Sequence, residues 1–119
     1  PLLVNYDNTS ESIDKRARAW LEINCAHCHR ADGPAKTSGL HLLARVTDNS
    51  KIGIGKAPVA AGKGSGGLSY SIVPGKPHES ILQFRIESVH PGIMMPELGR
   101  QVTHEEGVKL VRQWIREMK

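Results

Sequence analysis

The segment Cys25-Ala26-His27-Cys28-His29 decides how the rest of the chain is read. It holds both cysteines of a 119-residue sequence, three positions apart and followed at once by a histidine. Within one helical turn the two sulfur atoms face the same side, and the next imidazole lies beside them. This is the spacing at which two thiols add to the two vinyl groups of one haem while the histidine takes an axial position on its iron. In a chain of this composition about 0.0016 such matches are expected by accident, so the motif carries information before any context is added.

Other uses of the same cysteines have weaker support. A Cys-x-x-Cys redox pair calls for a preceding strand in a βαβ pattern, and none is readable here. A zinc site has His27, His41, His78, His90 and His104 to draw on. It lacks a second pair at knuckle spacing. A disulfide between Cys25 and Cys28 closes so short a loop that it stabilises little.

An iron held by His29 takes a sixth ligand or stays open. Downstream lies Ile93-Met94-Met95-Pro96-Glu97-Leu98-Gly99, and a methionine thioether is the usual partner of histidine in electron-transfer haem proteins. In an extended segment Met94 and Met95 point to opposite faces, so one of them reaches the iron. Pro96 biases Met95 to extended backbone and stiffens it, which makes Met95 the expected ligand and leaves Met94 to pack beside it. His90 or His78 in place of Met95 would give a bis-histidine carrier.

Outward from the motif the pattern is helical. From Glu11 to Cys28 the positions Ile13, Ala17, Trp20, Leu21 and Cys28 recur at helical spacing, with Ser10 as N-cap. This first helix delivers the haem motif at its C-terminal end. Pro77 suits a first helical position, and Ile81, Leu82, Arg85 and Ile86 follow, predicting a helix of about ten residues. Thr103-His104-Glu105-Glu106 is a capping box, and Val108, Val111, Trp114, Ile115 and Met118 then form one stripe. Residues 30–76 are glycine-rich, and Gly62-Lys63-Gly64-Ser65-Gly66-Gly67 reads as a flexible loop. That run lacks the Gly-Lys-Ser/Thr ending of a phosphate-binding loop.

Cys25-Ala26-His27-Cys28-His29, the later Met95-Pro96-Glu97-Leu98-Gly99 and the closing amphipathic helix together resemble a class I c-type cytochrome, from about Ser10 to Lys119. The stretch from Ile72 to Arg85 further resembles a bacterial variant often appended to larger extracytoplasmic proteins. The resemblance implies an all-α cytochrome c fold, three or more helices around one covalently attached haem, with a long Gly-rich loop. It implies a domain over residues 10–119 preceded by an extension or linker over 1–9. It implies that the first and last helices cross, with Ala17 and Leu21 against Val111 and Trp114 and Ala17 allowing close approach. It also implies that Cys25 and Cys28 carry the haem, that His29 and Met95 ligate its iron, and that a proline carbonyl, here Pro34, accepts the second ring N–H of His29.

With both axial positions filled there is no vacant site for a substrate. The expected function is therefore one-electron transfer rather than catalysis, in exchange with a partner oxidoreductase or a fused dehydrogenase domain. A small-ligand sensor or peroxidase-like enzyme is the alternative, and it requires Met95 to be displaceable. Electrons are expected to pass at the exposed haem edge, where lysines such as Lys36 and Lys56 are candidates to steer an acidic partner, simple solvation being the preferred reading of each.

Composition narrows the remainder. Hydrophobic residues make up 39% and charged residues 24%, as in a folded globular domain. The longest apolar run, as in Ile93-Met94-Met95, is far too short for a membrane span. Sixteen Lys and Arg against twelve Asp and Glu give a formal charge of +4. These basic residues form no run and do not interleave with aromatics, so nucleic acid is not an expected partner. Aromatics are only 4%, which leaves room for a planar cofactor in the core. Covalent haem attachment implies a periplasmic setting, and the isolated domain is expected to be a monomer. The segment from Pro1 to Tyr6 reads as a linker from a larger protein.

Overall fold

The computed structural model describes residues 4–26, 28–30, 32–33, 38–58, 62–88, 93, 95 and 105–119. Near the N-terminus Ser10 is already engaged, because its amide and its hydroxyl both donate to Asn8 Oδ1, at 3.1 and 2.7 Å. Ser12 therefore caps the first helix instead, its hydroxyl accepting the Lys15 amide at 3.2 Å. Helix α1 runs Ile13–Cys25, shorter at both ends than the periodicity predicts. Asp14 in its first turn complements the helix dipole.

The next helix, α2, is a single turn, Asn49–Ile52, with Asp48 as N-cap and Gly53 at φ +111° closing it. Hydrogen bonds from the Ser50 hydroxyl and amide hold the Asp48 carboxyl below its ordinary pKa. A 3-10 turn follows at Gly62–Ser65.

The helix expected from Pro77 is divided in two. Pro77–Glu79 forms a 3-10 turn, and α3 spans Ile81–Glu87. The break falls at Ser80, which is fully buried and extended, with φ −98° and ψ 124°. Its hydroxyl accepts from the Val73 amide at 2.8 Å and donates to Lys76 O at 3.0 Å. The first amides of α3, from Ile81 and Leu82, donate to the carbonyls of Tyr70 and Ser71 at 3.0 and 2.9 Å. The preceding loop thus does the capping that a side chain usually provides.

Helix α4 spans Glu105–Glu117, and the Thr103 and His104 part of the expected capping box lies outside the described residues. Its C-terminal end is closed from a distance, because the Gly75 amide donates to Ile115 O at 2.8 Å and Gly75 adopts φ +78°.

The core lies between α1 and α4 and extends to α3. Ala17, Trp20 and Leu21 pack with Val108, Val111, Trp114 and Ile115, joined by Leu42, Ile52, Ile72 and Ile86. The Trp114 indole N–H reaches Asp14 Oδ1 at 3.0 Å and ties the two long helices together at their rim. Their close approach is made at Gly107 as well as at the small Ala17: a Cβ on Gly107 would overlap the Trp20 indole. Among the described residues the chain is thus mostly helical, with four α-helices, two isolated bridges (Ile54 with Ile72, Tyr70 with Ser80) and no strand. No helix among them is long and apolar enough to cross a membrane. Part of the extension over residues 1–9 folds onto this core, since Tyr6 packs against it and its carbonyl accepts from Arg16 Nε at 2.9 Å.

Candidate functional site

Cys25 is the last residue of α1 and is buried, at the edge of the core. The turn continues beyond the helix proper, because the Cys28 and His29 amides both donate to Cys25 O, at 3.1 and 2.9 Å. Cys25, Cys28 and His29 therefore share one helical turn. The two cysteines form no disulfide; Cys25 is buried and Cys28 half-buried. Gly33 lies directly on the Cys28 carbonyl, and a Cβ there would overlap it. His27 lies outside the described residues.

The segment 38–42 folds back over His29 and holds it twice. The Leu42 amide donates to His29 O at 2.8 Å, and His29 Nδ1 lies 3.0 Å from Ser38 Oγ. The same hydroxyl oxygen accepts the Leu40 amide at 3.2 Å. Ser38 has a second lone pair for an Nδ1–H, and the tautomer sets which group donates. Sequence reading missed Ser38 and looked for a proline carbonyl instead; Pro34 lies outside the described residues. The only cue in the sequence was a hydroxyl-bearing residue shortly after the motif, which chain periodicity does not single out.

Helix α1 holds the turn that follows this segment. Arg18 is buried, and its Nη2 donates to the carbonyls of Leu43 at 2.9 Å, Val46 at 2.7 Å and, more loosely, Ala44 at 3.4 Å. Glu22 Oε1 accepts the Ala44 amide at 2.8 Å. Burial lowers the Arg18 pKa, and the Asp14 and Glu22 carboxylates oppose the shift. Two polar residues on the helix that carries the motif thus fix the 43–46 turn, which directly follows the segment that covers its histidine.

Met95 is half-buried, and its amide donates to Arg85 O at 3.0 Å, which places it beside the end of α3. Met94, Pro96 and His90 lie outside the described residues, as does Lys36. His78 stands 77% exposed next to Glu79, at 3.6 Å. Lys56 lies across Gly39, where a Cβ would stand 2.9 Å from its Cε, and its Nζ donates to Ala57 O at 3.3 Å.

Among the described residues no three or more His, Cys, Asp and Glu side chains gather to hold a metal ion. A haem asks for a different donor set: two thiols on one turn and one imidazole whose far nitrogen is engaged. Cys25, Cys28 and the Ser38-bound His29 fit that requirement. The chain matches no protein-family model, no curated protein and no solved structure.

Proposed function

We propose that this domain carries a covalently bound haem in a class I cytochrome c fold and transfers single electrons. The observation that carries the reading is the turn after α1, where Cys25, Cys28 and His29 are gathered on one carbonyl and His29 Nδ1 meets Ser38. In this reading the Cys25 and Cys28 thiols each form a thioether by adding S–H across a vinyl group. His29 donates Nδ1–H to Ser38 Oγ, which makes Nε2 the basic nitrogen and therefore the ligating one. Met95 would be the second protein ligand, and the haem would supply a one-electron couple there, with thioether ligation and an apolar surround favouring its reduced form.

The roles of the chain's own residues follow. Buried Cys25, at the core edge, and half-buried Cys28 would hold the haem through two thioethers, the Cys28 one nearer to solvent. Electron exchange at such an edge needs only a small, brief contact with a redox partner or a fused dehydrogenase domain. Attachment of this kind belongs to the periplasm, which is the proposed setting.

The test is the mass of the denatured protein after expression alongside haem-attachment machinery. The account expects the polypeptide mass increased by one haem. Cys25→Ser and Cys28→Ser should each retain haem through a single thioether, and the double variant should lose it to acidified organic solvent. An unmodified polypeptide mass from the parent would overturn the reading.

A further inference from the structure

Arg85, near the C-terminal end of α3, is joined to the Met95 segment in both directions. Its carbonyl accepts the Met95 amide at 3.0 Å, and its Nε donates to Ile93 O at 2.9 Å. The guanidinium also lies over Gly64, where a Cβ would stand 3.1 Å from Cζ and 3.4 Å from Nε and Nη1. The side chain is therefore held between the 3-10 turn Gly62–Ser65 and the turn at Ile93.

A single backbone bond fixes one point of a turn and leaves it able to pivot. A second bond two residues away removes that freedom, and a charged donor makes it stronger than a neutral one. A thioether binds iron weakly, so its occupancy depends on how firmly the chain presents it.

We propose that Arg85 is the positioning residue for Met95: it locks the backbone at Ile93 and Met95 onto α3, with the Gly62–Ser65 turn as a backstop, and so sets how tightly Met95 would hold the iron. This rests on the reading of Met95 as a haem ligand. Arg85 does not touch the iron; it acts through the backbone of Ile93 and Met95. Gly64 belongs to the same device, since any side chain there presses on the guanidinium.

The test uses the haem-loaded protein and its Arg85→Ala, Arg85→Lys and Gly64→Ala variants. Three readouts are followed: the thioether-to-iron band of the oxidised form at about 695 nm, the pH at which that band is lost, and carbon monoxide binding to the reduced form. Arg85→Ala should keep its covalent haem yet lose the band about one pH unit earlier, a tenfold weaker hold on the iron. It should also bind carbon monoxide about tenfold faster, about the effect of one lost hydrogen bond. Arg85→Lys, which keeps the charge but not the fork, should recover part of the difference. Gly64→Ala should show the same changes in smaller measure, and it reports on the device even if Arg85→Ala does not fold.

Variants that hold the band over the parent's pH range, with parental carbon monoxide kinetics, would overturn the positioning role alone. A parent that carries haem but shows no thioether band would overturn the Met95 assignment and this inference with it. A parent without covalent haem would overturn the function itself.

Discussion

At the scale of single residues, the account turns on His29 and the group that holds its far nitrogen. Ser38 Oγ lies 3.0 Å from Nδ1, and a hydrogen bond there raises the electron density that the ring offers a metal through Nε2. Ser38→Ala removes it together with the acceptor of the Leu40 amide; the bond from the Leu42 amide to His29 O does not involve the Ser38 side chain. The ring becomes a poorer donor, the oxidised iron loses more than the reduced, and the potential should rise by on the order of tens of millivolts. A redox titration of parent and variant checks the sign; a lower potential would count against Ser38 as acceptor. Cys25, Cys28 and His29 were legible in the sequence because their chemistry is local, three identities in one turn. The contacts of Ser38 and Arg85 were not, since both are set by how a loop returns onto its neighbour; the helical spacing that includes Arg85 says nothing of its bond to Ile93 O.

At the scale of elements, the helical stripes on α1 and α4 were legible because burial imposes the helical period on a sequence. Val108, Val111, Trp114 and Ile115 all face the core as their spacing requires. Helix boundaries were less so, because caps compete: Ser10 is taken by Asn8, which leaves the role to Ser12. The break at Ser80 was invisible for a similar reason, being set by Val73, Lys76, Tyr70 and Ser71 rather than by neighbours in the helix. Gly107 carries the clearest prediction at this scale. A glycine inside a helix costs about 1 kcal/mol relative to alanine, so Gly107→Ala should stabilise α4 if nothing opposed it. The added Cβ, however, would overlap the rigid Trp20 indole, and overpacking of a filled core costs about 1–3 kcal/mol. The clash wins, and the variant should melt several degrees below the parent in a thermal unfolding experiment, roughly 4–8 °C per kcal/mol for a domain of this size. A melting temperature equal to or above the parent's would show that the α1–α4 contact is looser than described.

At the scale of the whole molecule, the radius of gyration is 13.1 Å, close to the roughly 13 to 14 Å expected of a single folded domain of this length. The core is built mainly from aliphatic side chains and two tryptophans. Its organisation points one way: α1 ends in the motif, Arg18 and Glu22 on that helix pin the 43–46 turn, and the segment just before it covers His29. At the end of α3, Arg85 likewise holds Ile93 and Met95 through its side chain and its carbonyl. Two helices thus each present one of the two proposed axial ligands through a loop fastened by buried or half-buried polar groups. The most direct measurement is the visible spectrum of the protein, oxidised and dithionite-reduced, after expression with haem-attachment machinery. The account predicts a sharp reduced band at about 550 nm and, when oxidised, a weak band at about 695 nm, the signatures of thioether-linked haem with histidine and methionine on its iron. A folded but colourless protein would contradict it and redirect attention to metal analysis at Cys25 and Cys28.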